Sequence, residues 1–584
     1  MTAKKKIWRL TPPSKETSHL ALKTGISELN ALLLINRGIS DNDSVKAFLS
    51  PRLSSLIDPM LMKDMDKALE LILETIENQG HITVYGDYDA DGLTATALLI
   101  NLFSSLDVNA SSYIPHRLKE GYGLNSGAVK GLRKRGTRLI ITVDCGISNQ
   151  KEIELAQQLG MKVIVTDHHQ IHDNFNPICP VINPHRQDSS FPFQDLAGVG
   201  VAFFLAVGLR AALRQRGWFK KRTEPDLRNY LDLVALGTVA DMAPLKGQNR
   251  ILVHAGIDGM KNSQWPGIMA MQKISGIDSS KVSSYDLAFK LAPRLNASGR
   301  MGDAAPGLNA LITNSPSTAK KLAEQLNMIN RQRQLVEGEI ISQIEKSIAG
   351  KADTTIRRTM VFAEEGWHKG VLGIVASKLL EKYHKPILVL MIQDGIIAGS
   401  GRSIDGFNLH QALTRLGHLF EGFGGHYHAA GMTLKTSNLE ALISGLEEIA
   451  REEIRDEDLI PAVRVDSEIR ISDITMDTLL EIDTLAPFGS GNPEPVFYSA
   501  QIQVINSRVV GEKHLKLLVR EGETVMDAIG FNLAEFHPIG DRKINIVFTP
   551  EINRWNGIEK PQLRLLDLEL AGGETRLVRQ KYQS

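Results

Sequence analysis

Only two cysteines, Cys145 and Cys179, occur in 584 residues. Two thiols cannot build a disulfide framework, and such sparse usage points to a reducing, cytoplasmic compartment. No uninterrupted apolar run approaches the about 20 residues that a membrane span needs. The basic start MTAKKKIWRLTPPSKE is followed by no apolar stretch, so no membrane partner is expected. Excess charge of either sign is also missing, because 67 Lys and Arg balance 67 Asp and Glu. That balance removes the uniformly basic footprint of a nucleic-acid binder but leaves room for charge segregated along the chain. The basic clusters KGLRKRGTR (130–138) and RQRGWFKKR (214–222) read as solvated helix faces. What remains is an ordinary globular mixture, 42% hydrophobic and 23% charged, long enough for about three or four domains.

The stretch HITVYGDYDADGLTATALL (81–99) places Asp87, Asp89 and Asp91 in five positions. Asp-x-Asp-x-Asp-Gly also opens a calcium loop, but the bidentate Glu such a loop needs at its twelfth position is replaced by Leu98. The flank HITVY is β-branched and aromatic, which predicts a strand, and the Ala/Leu/Thr-rich run from Leu93 predicts a helix. Carboxylates at the carboxyl end of a parallel strand sit where open α/β sheets bind ligands. Two more strands, LIITV and KVIVT, end in Asp144 and Asp167, with His168 and His169 following the second. Ser148 or Asn149 is placed to cap the helix between them. The apolar segment YLDLVALGTVADMAPL, a buried helix or strand, delivers Asp241 to the same edge.

Further along, APRLNASGRMGDAAPGL (292–308) is rich in Gly, Pro and Asn and reads as a loop. Behind it, Ser317 to Ile348 carries apolar residues at near-heptad spacing, predicting a connecting helix about 48 Å long. Alternating strand and helix patterns then give a second, smaller α/β domain, and five closely spaced strand-like pieces suggest a small β-barrel of the oligonucleotide-binding kind. The expected fold class is therefore α/β, with an N-terminal helical segment (1–75), a parallel-sheet core domain (76–310), a connecting helix (311–350), the second α/β domain (351–455) and the barrel (456–575). The first 80 residues carry no recognisable chemistry.

Several carboxylates and one imidazole suit Mg²⁺ or Mn²⁺ better than zinc, since neither cysteine is placed to ligate. Five aspartates around one ion would leave uncompensated negative charge, which favours two. Paired ions clamp the attacking and leaving oxygens of a phosphoryl displacement, so the expected chemistry is hydrolysis of a phosphate ester or anhydride. Singly, Asp144 or Asp241 reads as a helix cap, Cys145 as a small residue filling a turn, and His428 as packing. The glycines of GFGGHYHAAG suit close approach to phosphate. Trp555 and Phe531 suit either base stacking or the barrel core.

DADG, VDCG, DHH and GTVADM, in this order, resemble the four acidic motifs of the DHH phosphoesterase superfamily. RLNASGRMGDA, GIVASKL, SGRS and GGHYHAAGM resemble those of its RecJ branch, whose activity is exonucleolytic on single-stranded DNA. The likeness runs from about residue 80 through LAPFGSGNPEPVF and the barrel. It implies one cation on Asp87, Asp89 and Asp144 and another on Asp91, Asp144, His168 and Asp241, with Asp144 bridging. It further implies that His169 and Arg300 attend the scissile phosphate, while Arg117, Ser400, Arg402 and His426 hold the terminal nucleotide's phosphate. Degradation from the 5′ end to mononucleotides, and partnership with a single-strand-binding protein and a repair helicase in DNA repair and recombination, follow from the same likeness. Short-substrate members of the superfamily place a histidine where Tyr85 stands and lack the barrel; catalytically dead scaffolding relatives are opposed by the complete acid set.

Overall fold

The computed structural model describes residues 6–117, 119–171, 175–349, 357–555, 557–573 and 576–579. Two compact units emerge: Ser50–Leu335 with Pro487–Pro493, and Met1–Leu49 with Val336–Ala486 and Glu494–Ser584. The second unit includes the first strand, β1 (Ile7–Leu10).

The first unit is built on a five-stranded, wholly parallel sheet of β2 (His81–Gly86), β3 (Ala110–Tyr113), β4 (Thr137–Val143), β5 (Lys162–Thr166) and β6 (Val181–Ile182), in the spatial order β3-β2-β4-β5-β6. Period-two alternation sorts its side chains. Ile82 and Val84 of β2 join the large core formed with helix Ala90–Ser105, whereas Tyr85 joins a smaller core with helices Ser126–Lys134 and Gln150–Gln158 on the other face. Strand order therefore reverses between β2 and β4, and a doubly wound sheet opens its ligand crevice at the carboxyl ends of such a pair. Asp87 and Asp144 follow those two ends directly.

Helix Gly198–Gln215 is, by length and composition, apolar enough to cross a membrane, yet 67% of its apolar window is buried, which is the pattern of a core helix. The segment YLDLVALGTVA resolves into helix Leu231–Ala240, buried along almost its whole length. The expected loop at 292–308 is instead two helices, Ala292–Met301 and Ala305–Ile312. Each has a proline in its first turn, where a missing N–H costs nothing. Gly299 is tolerated inside the first because a Cβ there would come within 2.5 Å of the Tyr88 carbonyl oxygen. Asn149 does precede helix Gln150–Gln158, but its side chain accepts from Leu124 N–H and donates to the Leu124 carbonyl rather than capping.

Helix Pro316–Ile348, 33 residues long, leads from the first unit into the second. There a mixed sheet in the order β10-β11-β9-β8-β7 is formed by β7 (Met360–Glu365), β8 (Ile387–Gln393), β9 (Ile396–Arg402), β10 (Phe420–Gly425) and β11 (Ala429–Lys435). After β12 (Ala462–Val465) and β13 (Ser467–Glu468) come β14 (Phe497–Val510), β15 (His514–Glu521), β16 (Thr524–Gly530), β17 (Lys543–Trp555) and β18 (Ile558–Leu570). β14 pairs with both β15 and β17, and β16 with β18, so these five strands close into a barrel. β19 (Leu577–Arg579) and β12 flank β1 in a small parallel sheet. Trp8 of β1 is fully buried, its indole N–H donates to Asp567 at 2.9 Å, and the Arg576 guanidinium lies over its ring.

Trp8→Ala should therefore destabilise the protein by about 3–5 kcal/mol, the range for a buried Trp truncation. A urea melt with an unchanged midpoint would show that β1 holds nothing together.

Candidate metal centre

The acidic turn after β2 is held in place from several directions. Asp89 is the N-cap of helix Ala90–Ser105, its Oδ1 accepting from the Asp91 and Gly92 N–H groups at 3.0 and 3.1 Å. The Ala90 N–H donates to Asn296 Oδ1 at 2.7 Å, so helix Ala292–Met301 props the turn from outside. Asp91 is buried, and its two oxygens accept from Gly198 N–H at 2.7 Å and Val199 N–H at 2.9 Å, the start of helix Gly198–Gln215. The positive end of that helix thus faces a carboxylate that would otherwise be isolated from water.

Asp144 sits in the left-handed region, with φ 59, on the sharp turn that ends β4. His168 Nε2 lies 3.1 Å from Asp144 Oδ1 and 3.9 Å from Asp91 Oδ2, and its Nδ1 lies 3.9 Å from Asp241 Oδ2. Asp87 Oδ1 is buried without a hydrogen-bond partner, and the buried Asp144 Oδ1 and His168 Nε2 face each other without forming one. Among the described residues, three groups bring their ligand atoms within 4.8 Å of one another: Asp87, Asp89 and Asp144; Asp91, His168 and Asp241; and Asp144, His168 and His169. Buried orphan oxygens beside a single imidazole nitrogen fit a hard divalent cation.

Electrostatics point the same way. Burial, then the neighbouring charge of Asp89, pushes the Asp87 carboxyl well above its ordinary value. Burial and then Asp91 do the same to Asp144. The same two causes raise Asp241 to about 8, while burial and Asp89 raise Asp91 to about 7 against the pull of the Val199 and Gly198 N–H groups. The adjacent histidines separate. Burial, reinforced by the positive charge of His169, lowers His168 to about 4, leaving it a neutral ligand at neutral pH. Burial also opposes a charged His169, but its Nδ1 hydrogen bond to Asp167 at 2.7 Å outweighs this and raises it to about 9. Asp167 in turn would be pushed up by burial, yet the His169 contact and the Ile147 N–H hold it below the ordinary carboxylate range. Asp167 therefore orients a histidine rather than joining a ligand cluster.

Of the other expected site residues, Arg117 stacks over the Tyr88 ring at 4.9 Å, and its charge reaches Asp87. Arg300 lies near enough to act on Tyr88 as well. In the second α/β domain, Ser400 and Arg402 project from β9 against Gly373, in the first turn of helix Leu372–Tyr383: a Cβ at Gly373 would lie 3.1 Å from the Arg402 guanidinium and 3.5 Å from Ser400 Oγ. An arginine and a hydroxyl at a helix start make an anion-binding combination. His426 is exposed in the β10–β11 turn, its N–H donating to the Ala429 carbonyl. His428, expected to pack, is 58% exposed instead and approaches Asp405 at 4.0 Å. Cys145 is buried with its Sγ 3.7 Å from the Tyr85 carbonyl, and burial pushes its thiol well up, as suits a turn filler. Phe531 is 52% exposed, edge-on to His514, and the Trp555 side chain lies outside the described residues.

Several contributors escaped the sequence reading. A Cβ at Gly198 would lie 2.7 Å from the Asp144 Cβ, and one at Gly237 would lie 2.9 Å from Asp91 Oδ1, so both helices reach the acids only as glycine. The glycine pair in LAGVGVA, just ahead of an apolar helical run, was the available signal. Tyr122, between Gly121 and Gly123, places its hydroxyl 3.2 Å from both the Asp144 carbonyl and His169 Nδ1. Nothing in GYG alone announces that role.

Three family descriptions match the chain: the DHH family N-terminal domain at residues 81–238, the DHHA1 domain at 356–452 and the RecJ OB domain at 465–567. The single-stranded-DNA-specific exonuclease RecJ of Bacillus subtilis (strain 168) is 37% identical, over 97% of this chain and 71% of that protein. The crystal structure of RecJ from Thermus thermophilus with Mn²⁺ superposes with a TM-score of 0.81 at 28% identity, covering 96% of this chain and 79% of that one. Its Mg²⁺ complex superposes at 0.76 and 27% identity, covering 96% and 78%.

Raised carboxyl pKa values mean that a cation must displace protons from the site at pH 6 and few at pH 9, so affinity rises with pH. Mn²⁺ titrations should show at least about a tenfold tightening between pH 6 and 8, where Asp91 and Asp241 titrate. A flat profile would mean that these carboxylates do not hold the ion. Gly198→Ala should leave the circular-dichroism spectrum intact while weakening Mn²⁺ binding about tenfold or more, by displacing Asp144.

Proposed function

Because the chain belongs to the RecJ family of DHH phosphoesterases, we propose that it is an exonuclease specific for single-stranded DNA. In this reading it works 5′ to 3′, releases 5′-mononucleotides and uses two divalent cations, Mn²⁺ or Mg²⁺. The observation that carries the proposal is the pair of ligand clusters, Asp87–Asp89–Asp144 and Asp91–His168–Asp241, joined by the Asp144–His168 contact. One ion would be held by Asp87, Asp89 and Asp144, and the other by Asp91, Asp144, His168 and Asp241. Bound there, the ions supply Lewis-acid polarisation of the phosphate and ease deprotonation of the attacking water.

The chain's own side chains supply the rest. His168 is a neutral imidazole at working pH and is therefore free to ligate. His169 is an imidazolium whose Nδ1 is engaged by Asp167, which leaves Nε2 to donate to the charge that develops on the scissile phosphate. Arg300 provides a planar fork matched to the same phosphate's oxygens. Arg117, Ser400, Arg402 and His426 bind the terminal nucleotide's phosphate, the helix start at Gly373 adding its N–H groups. Family membership supports a cytoplasmic role in DNA repair and recombination beside a single-strand-binding protein and a helicase.

Label release from 5′- and 3′-tagged single-stranded and duplex DNA with Mn²⁺ tests this. Mononucleotides should leave the 5′ label first, from single strands only, and Asp144→Ala should lower the rate by at least about a thousandfold. No release from any end would point to a scaffold, and cleavage confined to di- or trinucleotides to a short-substrate enzyme.

A further inference from the structure

Ser284–Asp286, the π-helical turn Leu287–Leu291 and Ala292–Met301 form one uninterrupted helical segment whose last turn carries Arg300, beside the acidic turn. A π turn inside an α-helix is uncommon and tends to mark functional positions. On the segment's far end Tyr285 is 60% exposed and Phe289 67% exposed, with ring centroids 4.8 Å apart. Residues 285, 289, 293 and 300 are separated by close to whole turns, so they share a face. The rings therefore stand about 16–22 Å from Arg300 along the same stripe.

Two guanidinium groups follow about one and a half turns beyond Phe289. Arg294 donates to Asn327 Oδ1 at 2.9 Å, and Arg331 lies near enough for its charge, after burial, to lower the Arg294 pKa. Among the described residues no carboxylate comes within salt-bridge distance of either guanidinium. Two adjacent cations without a carboxylate are relieved by an approaching anion, and paired exposed rings are stacking surfaces for flat apolar groups. Alternating phosphates and bases have both properties.

We propose that this face, Tyr285 and Phe289 with Arg294 and Arg331, is a second contact for single-stranded nucleic acid, where bases of the strand engaged at the metal centre stack several nucleotides from the cut. The proposal rests on the nuclease reading above. The test uses the full-length protein and the variants Tyr285→Ser, Phe289→Ser, their double, and Arg331→Gln, assayed on a long 5′-phosphorylated oligothymidylate and on the dinucleotide. Each lost ring should raise KM on the long strand about fivefold or more, leaving kcat unchanged and kcat/KM on the dinucleotide unaltered. Arg331→Gln should reduce the slope of log affinity against log salt by about 0.7, the share of one single-strand phosphate. An unaltered KM on the long strand in the double variant overturns the proposal. If those variants instead lose self-association in sedimentation, the rings belong to an interface with a second copy. A wild-type protein inert on both substrates would defeat the nuclease reading itself, a result separable from an active wild type with an indifferent double variant.

Discussion

Like charges held a few ångströms apart in a buried crevice raise one another's energy steeply as the local dielectric falls. Asp87, Asp91 and Asp144 are buried there, with half-buried Asp89 and exposed Asp241 at their edge, the five coming from three separate stretches of chain. Much of what is unusual around the crevice answers that repulsion. A helix start is aimed at Asp91, two glycines let backbone approach where any side chain would collide, and Asp144 occupies a left-handed turn. Such arrangements cost on the order of 1–3 kcal/mol each at a strained residue and persist only where the surrounding structure enforces them. A buried nest of acids with orphan oxygens is stable as a fold component only when cations or protons neutralise it.

The doubly wound sheet provides the enforcement. Because strand order reverses between β2 and β4, their following turns diverge to opposite faces and leave a gap that Asp87 and Asp144 rim. The neighbouring His168 and His169 then take opposite protonation states from opposite surroundings. One is dry and next to a cation; the other is anchored to a buried carboxylate. Two identical side chains in sequence thereby become a ligand and a positive charge, a division of labour that environment alone can create.

The strands and their terminal acids were legible because alternation and β-branching dominate short buried strands, and because several carboxylates and two adjacent histidines gathered at one sheet edge are hard to explain as caps. The barrel and the long helix were legible for the same reason of period. Helix Ala292–Met301 was not, since its Pro, Asn and Gly are poor helix formers judged alone. Here Asn296 and Gly299 are spent on contacts with the acidic turn, and tertiary structure overrides propensity. The supporting partners Tyr122 and Gly237 were hidden because their roles are distances between segments remote in sequence. Exposure was equally invisible: nothing in GGHYHAAG distinguishes an outward His428 from a packed one.

The pairing of β1 with β12 and β19 sets an order of events during synthesis. Trp8 aligns with Val463 on one side and Leu577 on the other. At a translation rate of about 5–20 residues per second, the first strand waits for ~30 s to 2 min before its second neighbour exists. Until then β1 can pair with β12 and Trp8 can pack on Val465, Tyr498 and Val547, but the other edge of the strand stays open. Closure of this small sheet thus waits on residues as far apart in the chain as Trp8 and Leu577.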